Sequence, residues 1–424
     1  MRSKSRQPSR IALLGLFGVG NIGNDGSLQA MIEFIAKAQP DASVRCISPG
    51  SAAVDRKFGI KSVPSRITDE GSRFRLLNRL LFKVPSKIID MAASIALMWT
   101  TDLLVMPGTG VLDDFGERPL GVPYDVFKWC LMARLLGARV AFVSVGAGPI
   151  RHPVSRWFMT NGAKLAHFRS YRDEISKIFM TEAGVRTSDD PILPDLAFRL
   201  RSPRVAPPRG AAKLVVGLGV MTYRGWTNAG RAGEEKFKTY IEKLSGFAKG
   251  VLAEGHSIRL LTGEEGDNTA VALLRRRLDG DAQGRIAVAD CSSLATLMEE
   301  AGRTDVVVAT RFHNVLCALK MAVPTISIGY AKKNDVLMEE RGLGEYCQHI
   351  ETLDVALLDE QFRRLVAERD EIRLRLEQSN DEMARRIAAQ DRILVSALFE
   401  HQLGSPAGEA PSVGSRLPAP EDAA

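Results

Sequence analysis

Residues 305–330 read DVVVATRFHNVLCALKMAVPTISIGY. The apolar run VVVA is followed by NVLCALKM, whose apolar residues recur at helical spacing, and then by the apolar run PTISIGY. A continuous apolar strand is typical of a parallel sheet that helices cover on both faces. The stretch therefore predicts a β-α-β unit of an α/β domain.

The same alternation of apolar strands and helical patterns occurs on both sides of a proline-rich break. It begins with the apolar runs at 11–17, 102–108 and 138–146, and it restarts at 213–220 and 257–263. The break, LRSPRVAPPRGAA, predicts an interdomain linker. We therefore predict α/β domains over 10–200 and 213–350, a linker over 201–212, C-terminal helices over 355–402 and a disordered tail over 403–424.

Composition and charge limit the class of partner. The chain has 424 residues, of which 45% are hydrophobic and 25% charged, as in an ordinary globular protein. The net charge of +7 suits an anionic small molecule or a membrane surface. No aromatic-rich basic cluster of the kind that single-stranded nucleic acid needs is present, so we expect no nucleic-acid partner.

The five cysteines are scattered and form no C-x-x-C pair. This pattern argues against a disulfide framework and a zinc site, and it fits a reducing compartment. We therefore expect a cytoplasmic protein with no metal and no cofactor. Acidic residues interrupt the most apolar region, so no stretch of about 20 residues is apolar enough to span a bilayer.

The joint between the strand and the helix at 311–313 is the best candidate for chemistry. Arg311 and His313 are two residues apart and can point the same way in an extended turn. A guanidinium, an imidazole and a helix N-terminus would then converge on one anion, and the histidine could give or take a proton. The other interpretation is a histidine that caps the helix. Lys332 and Lys333 follow the next strand at the same sheet edge and could add positive charge.

Two glycine-rich loops follow strands in the N-terminal half. GVGNIGNDGS (18–27) lets backbone N–H groups approach an anion or a sugar, although a tight turn without a ligand explains it equally well. In PGTGVLDDFGE (107–117), Gly108 and Gly110 permit close approach, and Asp113 and Asp114 could bind sugar hydroxyls. The alternative for the acid pair is a helix N-cap with solvated carboxylates.

Two further segments carry positive charge. In HFRSYRDEISKIFM (167–180), Arg169 and Arg172 could hold a carboxylate or a phosphate, or could pair with acids of the following helix. In RFRLLNRLLFK (73–83), basic residues recur at helical spacing beside an apolar face. That segment could contact an anionic membrane as a peripheral helix, or it could be an ordinary surface helix.

A series of short motifs follows in a fixed order along roughly residues 11–345: Asn21-Ile22-Gly23-Asn24-Asp25, TDLLVMPGTGVLDD, YRDEISKIFMTEAGV, Pro194-Asp195-Leu196-Ala197-Phe198, Arg311-Phe312-His313, Ala322-Val323-Pro324-Thr325-Ile326 and Tyr330-Ala331-Lys332-Lys333. Together they resemble the motifs of the polysaccharide pyruvyl transferase family. The resemblance implies two Rossmann-like domains that face each other across a cleft, as in GT-B glycosyltransferases.

The resemblance also implies an activity. Members of the family transfer a pyruvyl group from phosphoenolpyruvate to a sugar, commonly forming a cyclic ketal on two hydroxyls. The expected partners are therefore phosphoenolpyruvate and a sugar or lipid-linked oligosaccharide used for a surface polysaccharide or exopolysaccharide. The alternatives are a GT-B glycosyltransferase that uses a nucleotide sugar and a non-catalytic protein that binds a sugar or an anion.

Matching the motifs residue by residue assigns roles within the cleft. His313 corresponds to the catalytic acid or base, and Arg311, Arg172 and Lys333 correspond to donor ligands. The acceptor or loop-binding positions are Gly20, Asn21, Gly23, Asp25, Gly108, Gly110, Asp113 and Asp195. The chain departs from the family pattern at three positions, where Asn24 replaces an acid and Thr109 and Ala322 replace glycines.

Overall fold

The structure is a computed structural model that describes residues 10–66, 84–206, 213–226, 230–278 and 284–400. The basic segment at 73–83 and the tail at 403–424 lie outside the described residues, as does the second half of the linker, 207–212. The described part of the linker, 201–206, contains neither helix nor strand.

The N-terminal sheet has six parallel strands in the order β3-β2-β1-β4-β5-β6. The strands are β1 Arg10–Leu14, β2 Ser43–Ile47, β3 Lys61–Val63, β4 Leu103–Pro107, β5 Arg139–Val145 and β6 Phe168–Tyr171. The helices of this half are α1 Ile22–Ala38, α2 Ser51–Phe58, α3 Val84–Trp99, α4 Val122–Leu135, α5 Pro153–Lys164 and α6 Glu174–Glu182. A 3₁₀ turn at Leu196–Arg199 follows them.

The C-terminal sheet repeats this topology in the order β12-β11-β10-β7-β8-β9, again with parallel pairs. Its strands are β7 Val215–Gly219, β8 Ser257–Leu261, β9 Ile286–Val288, β10 Val306–Ala309, β11 Thr325–Gly329 and β12 Cys347–His349. Its helices are α7 Gly230–Ala253, α8 Asn268–Leu278, α9 Leu294–Gly302, α10 Phe312–Lys320, α11 Lys332–Glu340, α12 Val355–Ala367 and α13 Arg369–Leu398.

The prediction of two Rossmann-like domains with C-terminal helices is confirmed. The strand order of each sheet, 3-2-1-4-5-6 when numbered within its own half, is the order of doubly wound dinucleotide-binding folds. One continuous hydrophobic core includes residues from both sheets, such as Leu13 and Val308, and a second core fills the other side of the N-terminal sheet. The carboxyl ends of β1, β4 and β6 face those of β8, β10 and β11 across a cleft.

The long helix α13 returns from the C-terminal domain to the N-terminal one. Asn380 donates to the carbonyls of Leu319 and Lys320 in the C-terminal domain at 3.1 and 3.0 Å. Further along the helix, Gln390 donates to Ser144 Oγ at 2.7 Å and to the Pro194 carbonyl at 3.0 Å. The helix therefore ties the two domains together.

Candidate active site

The cleft between the domains has a volume of about 670 Å³. Loops that follow the carboxyl ends of strands in both sheets line it, which is where doubly wound folds bind their ligands. Of the residues predicted for the site, it brings together Asn21, Gly110, Asp113, Arg172, Arg311, His313 and Lys333. The predicted residues Gly20, Gly23, Asp25, Gly108 and Asp195 do not line it.

His313 lies in the first turn of α10, directly after β10. Its Nε2 is shielded from solvent and has no hydrogen-bond partner among the described residues. Burial lowers the pKa of His313 to about 4, the Asp195 carboxylate opposes this shift, and the positive charges of Arg172 and Lys333 reinforce it. The imidazole is therefore neutral at pH 7, and its Nε2 has no partner among the described residues.

Gly23 supports this histidine from the other domain. A methyl group at position 23 would lie 1.9 Å from His313 Nδ1, so the imidazole packs directly on the backbone of α1. Only glycine leaves room for this approach. Gly23 thus acts on the site through His313, although it does not line the cleft itself.

Arg172 follows β6 and is buried between the domains. Its Nη1 lies 3.4 Å from Asp195 Oδ2 and its Nε lies 3.4 Å from Asp173 Oδ2. The guanidinium stacks over the Phe312 ring with its central carbon 4.5 Å from the ring centroid. Burial opposes the charge of this group, but the surrounding carboxylates outweigh burial and raise its pKa. Arg172 is therefore a charged side chain that reaches the cleft from the N-terminal domain.

Arg311 is bound by two carboxylates of its own domain. Its Nε and Nη2 donate to the two oxygens of Asp267 at 3.0 and 2.8 Å, and Nη2 lies 2.7 Å from Glu264 Oε2. Asp267 is fully buried. Two carboxylates thus offset the single charge of Arg311, and only Nη1 remains outside these bonds.

Lys333 lies in the first turn of α11 beside aromatic side chains. Its Nζ lies over the Tyr330 ring, 4.8 Å from the centroid. Tyr330 in turn packs on Phe115 of the N-terminal domain at 5.5 Å between ring centroids. Within the described part of the chain, no carboxylate lies within ion-pair distance of Lys333. This ammonium therefore contributes positive charge to the cleft that no neighbouring residue neutralises directly.

The two neighbouring acids Asp113 and Asp114 have different roles. Asp113 lines the cleft, and burial raises its pKa while the nearby Lys333 opposes that shift. Asp114 points away and accepts hydrogen bonds from the backbone N–H groups of Arg151 and His152 at 2.8 and 2.9 Å. It also accepts one from Trp226 Nε1 of the other domain at 3.3 Å. Asp113 is thus the member of the pair that a ligand could reach.

The first glycine-rich loop is mainly a contact between domains. Asn21 forms an isolated antiparallel bridge with Glu264, and the Glu265 N–H donates to the Gly20 carbonyl at 3.0 Å. Asp25 turns away from the cleft, accepts from the Gly18 N–H at 2.8 Å and pairs with Lys57 at 2.8 Å. Asp25 therefore does not replace the acid that the family has at position 24.

The second glycine-rich loop has a strained backbone. Gly108 has a φ of 57° and Thr109 a φ of 66°, both in the left-handed region. This region is unfavourable for a β-branched side chain, so Thr109 holds a conformation that glycine would adopt without strain. A methyl group at position 110 would lie 2.4 Å from Asp113 Oδ2, so Gly110 leaves room for that carboxylate.

The far end of the cleft contains charged residues that the sequence analysis missed. Arg66 Nε lies 2.8 Å from Asp125 Oδ2, and Glu117 lies nearby. Burial raises the pKa of both Asp125 and Glu117, while Arg66 opposes the shift. No motif marks these residues, because Arg66 and Asp125 are 59 positions apart in the chain and meet only in the fold. Among the described residues, no group of three or more His, Cys, Asp or Glu side chains could hold a metal ion.

Predicted Arg169 and Asp195 have structural partners. Arg169 pairs with Asp190 at 2.8 Å and donates to the Ala163 carbonyl at 3.1 Å, outside the cleft. Asp195 lies behind Arg172, where it also accepts from the Ala197 N–H at 2.9 Å and begins the 3₁₀ turn.

Comparison with solved structures identifies neighbours with the same two-domain architecture. UDP-GlcNAc 2-epimerase from Neisseria meningitidis, solved with UDP-GlcNAc bound, has a TM-score of 0.57 and 10% sequence identity, covering 92% of this chain and 99% of that chain. A glycosyltransferase from Rickettsia africae has a TM-score of 0.52 and 12% identity, covering 92% of this chain and 99% of that one. At such low identity these similarities show a GT-B-like fold and nothing finer. Comparison with curated protein sequences gives no match.

The family model for polysaccharide pyruvyl transferase matches residues 21–332. The match runs from the first glycine-rich loop to the start of α11, so it includes the loops of both domains that line the cleft. The chain therefore belongs to the polysaccharide pyruvyl transferase family, a family of transferases that act on polysaccharides.

Proposed function

We propose that the protein transfers a pyruvyl group from phosphoenolpyruvate to two hydroxyls of a sugar, forming a cyclic ketal on a surface polysaccharide or its lipid-linked precursor. The observation that carries this proposal is the convergence of Arg172, Lys333 and His313 in one cleft. Two cations and a neutral imidazole, supplied by both domains, suit a small dianion that must receive a proton.

The distribution of charge in the cleft matches the donor. Phosphoenolpyruvate has a carboxylate and a phosphate. Lys333 supplies a positive charge to meet them, and Arg172 supplies a guanidinium whose contacts with Asp173 and Asp195 are long, at 3.4 Å. The N-termini of α10 and α11 also open towards the cleft, and in the described chain neither N-cap residue, Arg311 or Ala331, forms a side-chain cap. Their backbone N–H groups can therefore bind oxyanions. Arg311 contributes through Nη1, because Asp267 and Glu264 hold its other nitrogens.

His313 can move the protons of the reaction. The charge of the bound donor raises the pKa of the imidazole, so that the imidazole takes up a proton from solution and then gives this proton to the methylene carbon of phosphoenolpyruvate. A sugar hydroxyl attacks C2 and returns its proton to His313. A second hydroxyl then attacks C2 and displaces phosphate, which closes the ketal. The phosphate leaves with the proton of that hydroxyl. The carboxylate of Asp113 is placed to orient the attacking hydroxyls.

Thermal unfolding with phosphoenolpyruvate tests donor binding, using Lys333→Ala with Lys332→Ala as a matched control. Lys332 is the exposed neighbour of Lys333 and does not line the cleft. We expect phosphoenolpyruvate to raise the unfolding midpoint of the wild type and of Lys332→Ala. Lys333→Ala should need at least about tenfold more ligand, because a charge-assisted contact contributes about 1.5–3 kcal/mol.

Phosphate release in the presence of sugar acceptors tests catalysis. The wild type should release phosphate, and His313→Ala should lose about 10²–10⁴-fold in rate. Equal rates for the two proteins would contradict the proposed role of His313. Stabilisation by a nucleoside diphosphate but not by phosphoenolpyruvate would instead favour a glycosyltransferase.

A further inference from the structure

Helix α3 exposes several large apolar side chains on the outside of the protein, although Met98 lies in the core. The only polar residues between 89 and 99 are Asp90 and Ser94, and both lie on the inner side. Asp90 accepts from Lys128 Nζ of α4 at 2.7 Å, and Ser94 is fully buried. Large apolar residues are exposed instead, with Ile89 42%, Ile95 41% and Trp99 64% exposed. A surface helix of a globular domain normally shows the opposite arrangement.

The same inversion continues on α4, which packs against α3, and on α5, which packs against the other side of α4. Lys128 of α4 is almost completely buried, with 1% of its side chain exposed. Leu135 at the end of α4 is 69% exposed, and Trp157 of α5 is 54% exposed. Trp157 packs on Phe127 of α4 and on Phe158, with ring centroids 5.1 and 5.3 Å apart. The outer surface of α3, α4 and α5, which we call the helix-layer face, therefore carries exposed apolar and aromatic side chains on all three helices.

The exposed charges on α4 and α5 are of one sign. The three helices contain only two acidic residues, Asp90 and Asp125, and both are paired with cations on the inner side. The exposed charged residues of α4 and α5 are Arg134, Arg156 and Lys164, all of them basic. A symmetric contact with a second copy would bring these like charges together, with no acid of the same face to pair with them. An anionic lipid surface offers both an apolar layer and negative charge.

We propose that the helix-layer face binds to an anionic lipid membrane, with Ile95 and Trp157 inserted among the headgroups and Arg134, Arg156 and Lys164 on lipid phosphates. No helix in the described part of the chain is long and apolar enough to cross a bilayer. The contact is therefore one in which the helices lie on the membrane surface. This proposal does not depend on the reaction that the cleft performs, or on the basic segment at 73–83.

The helix-layer face adjoins the cleft at the start of α4. Gly121, Val122 and Asp125 line the cleft, while residues one or two turns further along α4 belong to the outer face. A sugar carried by a membrane lipid would thus approach the cleft from the lipid side. Unlike the membrane contact itself, this link rests on the proposed function.

Vesicle co-sedimentation of the full chain tests the proposal. The vesicles are mixed phosphatidylcholine and phosphatidylglycerol, with pure phosphatidylcholine for comparison. The test variant is Ile95→Ser with Trp157→Ser. The matched control is Leu374→Ser, because Leu374 is a 60% exposed apolar residue on α13, away from this face. The wild type and the control should bind the anionic vesicles several-fold better than the neutral ones, and the double variant should bind them about tenfold or more weakly.

Quenching of tryptophan emission by brominated lipids shows whether the side chains insert into the membrane. A protein that is held only by charge at the membrane surface would show no such quenching. The emission of wild-type tryptophan should be quenched, and Trp157→Phe should lose part of that quenching while Trp129 and Trp226 remain buried. Equal binding to anionic and neutral vesicles, or equal binding by the double variant and the wild type, would overturn the proposal. It would also fall if the wild type showed no vesicle binding and formed a dimer that the double variant does not form.

Discussion

The imidazole of His313 is held neutral because the surrounding protein disfavours its charged form. The charged groups that act on it are the cations Arg172, Lys333 and Arg311 and the carboxylate of Asp195. The backbone of Gly23 packs against its Nδ1. Protonation of the imidazole without a bound anion therefore costs free energy. Because of this cost, His313 becomes protonated only when a bound anion offsets the added charge. Proton transfer to a dianionic donor requires this dependence on the ligand.

The stability of the free protein should consequently depend on pH through His313. Its pKa is about 4 in the folded state, against about 6.5 for an unfolded histidine. Between these values the unfolded chain binds more protons, so the free energy of unfolding falls as the pH falls. Compared with His313→Asn, the wild type should lose up to about 3 kcal/mol more between pH 6.5 and pH 4. Urea unfolding of both proteins across this range measures the difference, because other ionisable groups are common to both. Parallel curves would contradict the depressed pKa.

Single residues also show where sequence reasoning ends. The spacing of Arg311 and His313 after an apolar run placed both at a strand end, and the structure brings both into the cleft. The spacing could not show that Asp267, 44 residues earlier, would accept hydrogen bonds from the guanidinium of Arg311. Whether a charged side chain is available to a ligand depends on partners that only the fold brings near. The accessible charge of Lys333 was therefore harder to predict than its position.

At the scale of elements, the C-terminus of α10 shows how a departure from the family pattern affects stability. After the helix ends, the Ala322 N–H donates to the Leu319 carbonyl at 3.0 Å and the Val323 N–H donates to the Ala318 carbonyl at 2.9 Å. This closing turn requires a left-handed residue, and Ala322 has a φ of 55°. The methyl group makes that conformation unfavourable, which accounts for the glycine that the family has there.

Ala322→Gly should therefore stabilise the protein by about 1 kcal/mol, since it relieves the left-handed strain. Ala318→Gly, in the interior of the same helix, should destabilise it by about 1 kcal/mol or more, because glycine lowers helix propensity and removes a buried methyl group. Denaturant unfolding midpoints for both variants give the comparison. A loss of stability in Ala322→Gly would show that packing of the methyl group outweighs the backbone strain.

Strands were predictable where their burial on both faces leaves a continuous apolar run in the sequence. The apolar runs at 102–108, 138–146 and 257–263 correspond to β4, β5 and β8. The short strands β3 and β12 left no such run, because each has three residues and lies at the edge of its sheet with its side chains partly or fully exposed. In α3 to α5 buried charges and exposed apolar residues reverse the usual rule, so their pattern does not identify the side that faces the core.

For the whole molecule, the sequence predicted two α/β domains and C-terminal helices but not how they are joined. The glycine-rich loop at 18–27 suggested a ligand site, yet much of it contacts the loop at 263–267 of the other domain. The prediction of C-terminal helices over 355–402 did not show that α13 binds both domains. Contacts between distant segments depend on the relative placement of domains, which no local pattern encodes.

The attachment of α13 to the N-terminal domain should contribute measurably to stability through Gln390. This side chain is fully buried and donates to Ser144 Oγ and to the Pro194 carbonyl. In Gln390→Ala both acceptors lose their partner inside the protein, which should lower the free energy of unfolding by about 2–4 kcal/mol. Gln378→Ala is the matched control, because Gln378 is exposed on the same helix and its removal should change stability by less than about 0.5 kcal/mol. Urea unfolding of the two variants distinguishes these outcomes. Equal effects would mean that apolar packing alone, for example Phe34 against Phe399 at 5.9 Å between ring centroids, holds the helix in place.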